Sequence, residues 1–65
     1  MDAVIVGRRL RMLRGTESRK MLAKRVGVST SSIAMYERGE RIPRDEIKLK
    51  LSKHFNISVD DIFFQ

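Results

Sequence analysis

An all-α fold of five short helices is what this 65-residue sequence predicts, and three observations carry it. Apolar residues recur at three- and four-residue spacing, and no stretch shows the period of two that a strand requires. Residues that open helices, Asp2, Ser18, Ser29 and Ser58, stand just ahead of the periodic stretches. Residues that accept left-handed backbone, Gly27 and Asn56, stand just behind two of them.

Asp2 caps a first helix of about residues 3 to 14, in which Val6, Leu10 and Leu13 recur at i, i+4 and i+7 as a buried stripe. Arg8, Arg9, Arg11 and Arg14 take much of the remaining surface. Gly7 costs a helix interior about 1 kcal/mol relative to alanine, so another backbone is expected to approach closely there. Gly15, Thr16 and Glu17 form a short connector, and Ser18 caps the second helix. Its first turn, Arg19, Lys20 and Met21, puts cations at the positive end of a helix dipole, where acids are favoured. An anion bound at that end removes the conflict, since free amides and two cations make a phosphate site. Two solvated cations at a frayed helix start are the other reading. Leu22, Ala23 and Val26 form the buried side, and Ala23 is small enough for a close helix crossing. Gly27 closes this helix in the left-handed conformation.

Ser29 opens the third helix. At about 100° per residue, Thr30, Ser31, Ala34, Met35 and Arg38 fall within one arc of roughly 140°. Ser32, Ile33, Tyr36 and Glu37 fall on the opposite side. The inward face thus has a branched apolar anchor and an aromatic one, while the outward face is short and polar. A helix so built can lie deep in a groove, and the major groove of duplex DNA is wide enough to admit it. The second and third helices with their tight turn, about residues 18–38, read as a helix-turn-helix.

Residues 40–44 form an exposed loop whose Pro43 suits a helix start. Asp45 and Glu46 favour the positive end of a fourth helix, about residues 44 to 55, with Ile47, Leu51 and Phe55 facing the core. Lys48, Lys50 and Lys53 are expected to be solvated, and Asn56 stops the helix. Ser58 to Asp61 resembles a capping box, with Asp in the acid's place, that opens a short last helix ending in Ile62, Phe63 and Phe64.

Sixty-five residues make one domain at most, spanning 1–65, and so short a chain buries only about 60% of its unfolded surface. The absence of cysteine excludes disulfides, thiolate nucleophiles and most structural zinc sites, and fits a cytoplasmic setting. No apolar run approaches the ~20 residues that span a bilayer, and at the start the charges follow the apolar residues, the reverse of a secretory signal. The net charge of +6 points to a polyanionic partner. His54, the one histidine, lies near a helix C-terminus as a dipole-stabilised surface group, and alone it makes no metal site. No nucleophile–base arrangement or phosphate-cradling glycine loop is present, so neither catalysis nor a cofactor is expected.

From Ser18 to Pro43 the pattern Leu22-Ala23, Gly27-Val28-Ser29, Ser32-Ile33, Tyr36-Glu37-Arg38-Gly39 and Pro43 resembles the Cro and lambda-repressor-like helix-turn-helix family, also called XRE-type regulators. The likeness extends weakly over the whole chain. It implies a compact five-helix DNA-binding domain whose third helix enters the major groove, with Thr30, Ser31, Ala34 and Met35 contacting bases. It implies phosphate contacts from the start of the second helix, Ser18, Arg19 and Lys20, and from Arg38, Arg41 and Arg44 around the loop. Arg19 stands where the family usually has Gln. Members similar to this chain pair an arginine of the first helix with a glutamate late in the third, which matches Arg14 and Glu37. The connector before Ser18 is about two residues shorter than usual, and Asp45 replaces a commonly apolar residue.

The phosphate contacts should supply most of the affinity and the hydroxyls of Thr30 and Ser31 the base choice, with Ala34 and Met35 against a thymine methyl. One such module covers one half-site, so a homodimer on an operator is expected, with Phe63 and Phe64 contributing to its interface; the other reading, favoured for Ile62 and Phe63, is that they close the core of the monomer. The reading is a transcriptional regulator, a repressor that occludes a promoter, with no membrane and no small-molecule ligand among its partners. The alternative is an antitoxin or adaptor whose basic surface binds an acidic partner protein.

Overall fold

Short polar side chains decide where the helices of this chain begin. A computed structural model describes residues 1–65 as α1 (Ala3–Arg14), α2 (Arg19–Val26), α3 (Thr30–Glu37), α4 (Asp45–Phe55) and α5 (Val59–Phe63). Asp2 accepts the amides of Val4 and Ile5 at 2.9 and 3.2 Å, and Ser18, Ser29 and Ser58 accept those of Met21, Ser32 and Asp61 at 3.0–3.1 Å. Each bond satisfies an amide that has no partner within its helix. Only half of the expected box at Ser58 forms, because no carboxylate returns to the Ser58 amide. Gly27 (φ 75°) and Asn56 (φ 56°) end α2 and α4 in the left-handed conformation.

All five helices contribute to one core of Val6, Leu10, Leu22, Ala23, Val26, Ile33, Tyr36, Ile47, Leu51, Ile62 and Phe63. Helix α1 crosses α3, α2 packs on α3 and α4, and α5 closes against α4 and α1. Gly7 marks the α1–α3 crossing. A Cβ on Gly7 would lie 2.6 Å from the carbonyl oxygens of both Tyr36 and Glu37, so the last turn of α3 rests directly on the backbone of α1.

The tail and the loop after α3 bear on three expectations. Phe63, read either as part of a dimer interface or as closing the core, is 1% exposed and fills the core, which leaves Phe64, 55% exposed, as the aromatic on the surface. Lys48, expected in solvent, is 8% exposed, because α5 folds back over its stem. Its ammonium lies 5.8 and 5.4 Å from the ring centroids of Phe63 and Phe64 and 3.3 Å from Asp45. The loop after α3 is not wholly exposed either, since Pro43 is fully buried. Arg9 ties the tail down by donating to the carbonyls of Ile62, at 2.8 Å, and Gln65.

Candidate nucleic-acid interface

Helix α3 has two unlike faces. Ile33, Tyr36 and Glu37 are buried, Thr30, Ser31 and Arg38 are exposed, and Ala34 and Met35 lie between. The outer face is therefore shallow where Thr30 and Ser31 stand, with two hydroxyls that both donate and accept. Ser29 and Ser32 are less available, because Ser29 caps the helix and its hydroxyl donates to that of Ser32 at 3.0 Å.

What fixes the pose of α3 is a charged knot at its C-terminal end. The Glu37 side chain is 2% exposed. Arg14 of α1 donates to it through Nε at 2.6 Å and Nη2 at 3.1 Å, and Arg19 of α2 donates through Nε at 3.0 Å. Arg14 makes a third bond of its own, from Nη1 to the Glu17 carbonyl at 2.7 Å. Burial pushes the Glu37 carboxyl up, but the hydrogen bonds and charges of Arg14 and Arg19 outweigh it and hold the group below the ordinary carboxylate range. The hydrogen bond to Glu37 raises Arg14 in turn. One carboxylate thus joins three helices, and a buried charge bonded on both oxygens avoids the cost of an unpaired one.

Arg19 serves two directions. Its Nε is held by Glu37, while its side chain keeps 38% exposure and its terminal nitrogens have no partner in the protein. Ser18 Oγ is occupied by the Met21 amide, and Lys20 is exposed without a carboxylate. Around the loop, Arg41 is exposed and unpaired. Arg38 donates to Glu40 at 2.6 and 3.1 Å, and Arg44 lies 3.5 Å from Glu46. Both of these pairs are more than half exposed, so they are cheap to open. Ser18 and Arg19 sit at the start of α2, Thr30 and Ser31 at the start of α3, and Arg38 at its end. Phe64 lies apart from them, at the close of α5.

Two features escaped sequence reasoning. The Arg19–Glu37 bond joins residues 18 apart in sequence, and nothing in the period of α2 signals it. His54 is part-buried, with Nε2 2.8 Å from Glu17 Oε1 and its ring edge-on to Phe55 at 5.0 Å, so it is no free surface group. No cluster of His, Cys, Asp or Glu is assembled that could hold a metal, and no helix is long and apolar enough to cross a membrane.

Comparison with known proteins gives concordant matches. The family model described as Helix-turn-helix (HTH_3) matches residues 8–62. An uncharacterized HTH-type transcriptional regulator of Bacillus subtilis, YazB, is 36% identical over 64 residues, 95% of this chain and 93% of that protein. A second, MJ0272 of Methanocaldococcus jannaschii, is 38% identical over 42 residues, and the match covers 65% of this chain and 64% of that protein. The crystal structure of the P22 c2 repressor in complex with a synthetic operator superposes with a TM-score of 0.89 at 35% identity, over 92% of this chain and 94% of that one. The restriction-modification controller protein C.AhdI from Aeromonas hydrophila gives 0.84 at 34% identity, over 95% and 97%.

Proposed function

This chain belongs to the helix-turn-helix family of Cro and lambda-repressor-like, XRE-type regulators, and from that premise we propose that it is a sequence-specific duplex-DNA-binding transcriptional regulator acting as a repressor. The family is a DNA-binding class, not an enzymatic one. The observation that carries the reading is the division of α3, with Ile33, Tyr36 and Glu37 locked inward while Thr30 and Ser31 face out at the start of the helix. Such a helix enters a major groove with its first turn against the base edges.

The exposure and pairing of the side chains support the following roles. Thr30 and Ser31 meet base edges, Ala34 and Met35 make apolar contact with a thymine methyl, and Arg19 offers its free terminal nitrogens to a phosphate beside Ser18 and Lys20. Arg41 needs no rearrangement to reach a phosphate, whereas Arg38 and Arg44 exchange their glutamate partners for the backbone. The Cα trace measures 26 × 23 × 21 Å. Half-sites one turn apart are separated by about 34–36 Å, so two copies fit on one face of a duplex and meet between the half-sites. The exposure of Phe64 supports its role in the contact between them.

Selection from a random pool of roughly 30-base-pair duplexes, long enough for two half-sites one turn apart, tests this. An inverted repeat at that spacing is the expected product. A single short motif would remove the dimer, and no enrichment would leave charge alone and bring the partner-protein alternative forward.

A further inference from the structure

We propose that the cleft between the C-terminal half of α2 and the outer face of α4 is a second phosphate-binding surface, which takes the sugar–phosphate backbone of the duplex flanking the half-site. The inference rests on the DNA-binding reading above but concerns residues outside that interface. The cleft is lined by Arg25, Lys50, Lys53 and His54, and by no apolar or acidic residue. Arg25, Lys50 and Lys53 are exposed, and none is within ion-pair distance of a carboxylate.

The rest of the chain sharpens that imbalance. Glu37, Glu40, Asp45 and Glu46 are each paired with a cation elsewhere, Asp2 is consumed by the cap of α1, Asp60 accepts from Gln65, and Asp61 lines a separate hollow between α1 and α5. Glu17 and Glu46 stand at the edges of the cleft, the first paired with His54 and the second with Arg44. Helix dipoles favour cations in the last turns of α2 and α4, which accounts for Arg25 and Lys53 one at a time. Lys50, a turn earlier, reaches the C-terminal end of α2 as well, but the dipoles do not account for the convergence of three unpaired cations on one shallow surface, where like charges repel. A row of phosphates relieves that repulsion.

Position selects the duplex as the source of those phosphates. Lys50 Nζ lies 3.5 Å from where a Cβ on Gly27 would stand, so it leans over the helix-turn-helix turn itself. Gly27 is two residues from Ser29, which caps the base-reading end of α3. Through Lys50 the basic surface of α4 reaches the turn that precedes α3, and a duplex longer than the half-site can follow it.

The test is the salt dependence of binding to a roughly 30-base-pair duplex, where each phosphate contact contributes about 0.9 to the slope of log K against log salt. The Lys50→Ala/Lys53→Ala double variant should make the slope shallower by about 2. The Arg8→Ala/Arg11→Ala variant removes the same two charges from exposed positions of α1 and should leave the slope unchanged. An equal drop in both would reduce the effect to net charge and overturn the proposal. A slope lowered by Arg19→Ala but untouched by the cleft variant would also overturn it, while leaving the α3 interface standing. Inorganic triphosphate provides the remaining arm. Amide shifts confined to Arg25, Lys50, Lys53 and His54, with no loss of slope in the variant, would assign the cleft to a free polyphosphate instead. Thermal unfolding of each variant checks that folding is kept.

Discussion

Replacing Gly7 by alanine tests the arrangement on which the pose of α3 depends. In an ordinary helix interior the substitution stabilises by about 1 kcal/mol. Here the new methyl lands 2.6 Å from two carbonyl oxygens and 2.9 Å from the Glu37 carbonyl carbon. Ordinary contact begins near 3.4 Å, so α1 and α3 must part by about 0.8 Å, the difference between 3.4 and 2.6. The atoms in the way are backbone of the last turn of α3, which cannot swing aside as a side chain would. Overpacking costs about 1–3 kcal/mol, and a clash with backbone that cannot give puts this site in the upper part of that range, about 2–3 kcal/mol. Set against the gain in helix propensity, a net loss of about 1–2 kcal/mol is expected. In a domain this small each kcal/mol moves the melting temperature by about 4–8 °C, so Gly7→Ala should melt about 5–15 °C lower. Urea unfolding followed by far-ultraviolet circular dichroism measures the loss, with Arg8→Ala on the exposed side of α1 as a near-neutral reference. A Gly7→Ala protein as stable as the parent would mean that the two backbones do not touch, and the account of the crossing would be wrong.

Three further outcomes are expected. Glu37 has a depressed carboxyl pKa when folded, so its stabilising contribution is present in full above the ordinary carboxylate range near 4.3 and is lost as pH falls through the folded value. Acid titration of stability should show that loss, and Glu37→Gln should flatten it while costing about 2–3 kcal/mol at neutral pH, below the full cost of a broken buried pair because Arg19 can rehydrate. In duplex binding, Arg19→Ala should weaken all sequences alike, whereas Thr30→Ala or Ser31→Ala should change preference at one or two positions; unchanged preference in a selection experiment would remove α3 as the reading helix. Phe64→Ala should weaken binding to a duplex carrying two half-sites and spare a single half-site; equal weakening of both would count against its place between two copies.

The elements with local signals could be read from the chain itself. Asp2, Ser18, Ser29 and Ser58 cap the helices they precede, and Gly27 and Asn56 close theirs, because capping depends on neighbours within four residues. The two faces of α3 followed from its period for the same reason. What stayed hidden depends on distant partners. Lys48 looks solvated on a helical wheel, and only the return of α5 across α4 shows that Phe63 and Phe64 cover it. Arg9 is one of several arginines on α1 until the fold brings the Ile62 carbonyl, 53 residues away, within 2.8 Å. At the candidate site, the residue types of the first turn of α3 were visible. The hold of Glu37 on Arg19 was not, since α2 carries no mark of where α3 will end.

That hold has a thermodynamic consequence. Arg14, Arg19 and Glu37 fix the distance between the start of α2 and the end of α3 before any duplex arrives, so little of the protein remains to be ordered on association. Recognition that couples to folding buries large apolar areas within the protein and registers as a large negative heat-capacity change. A rigid module forgoes that contribution and loses less entropy on docking. Calorimetry of this protein with its operator over a range of temperatures should therefore give a shallow dependence of binding enthalpy on temperature, and Glu37→Gln should steepen it by letting Arg19 and the end of α3 move until the phosphates capture them.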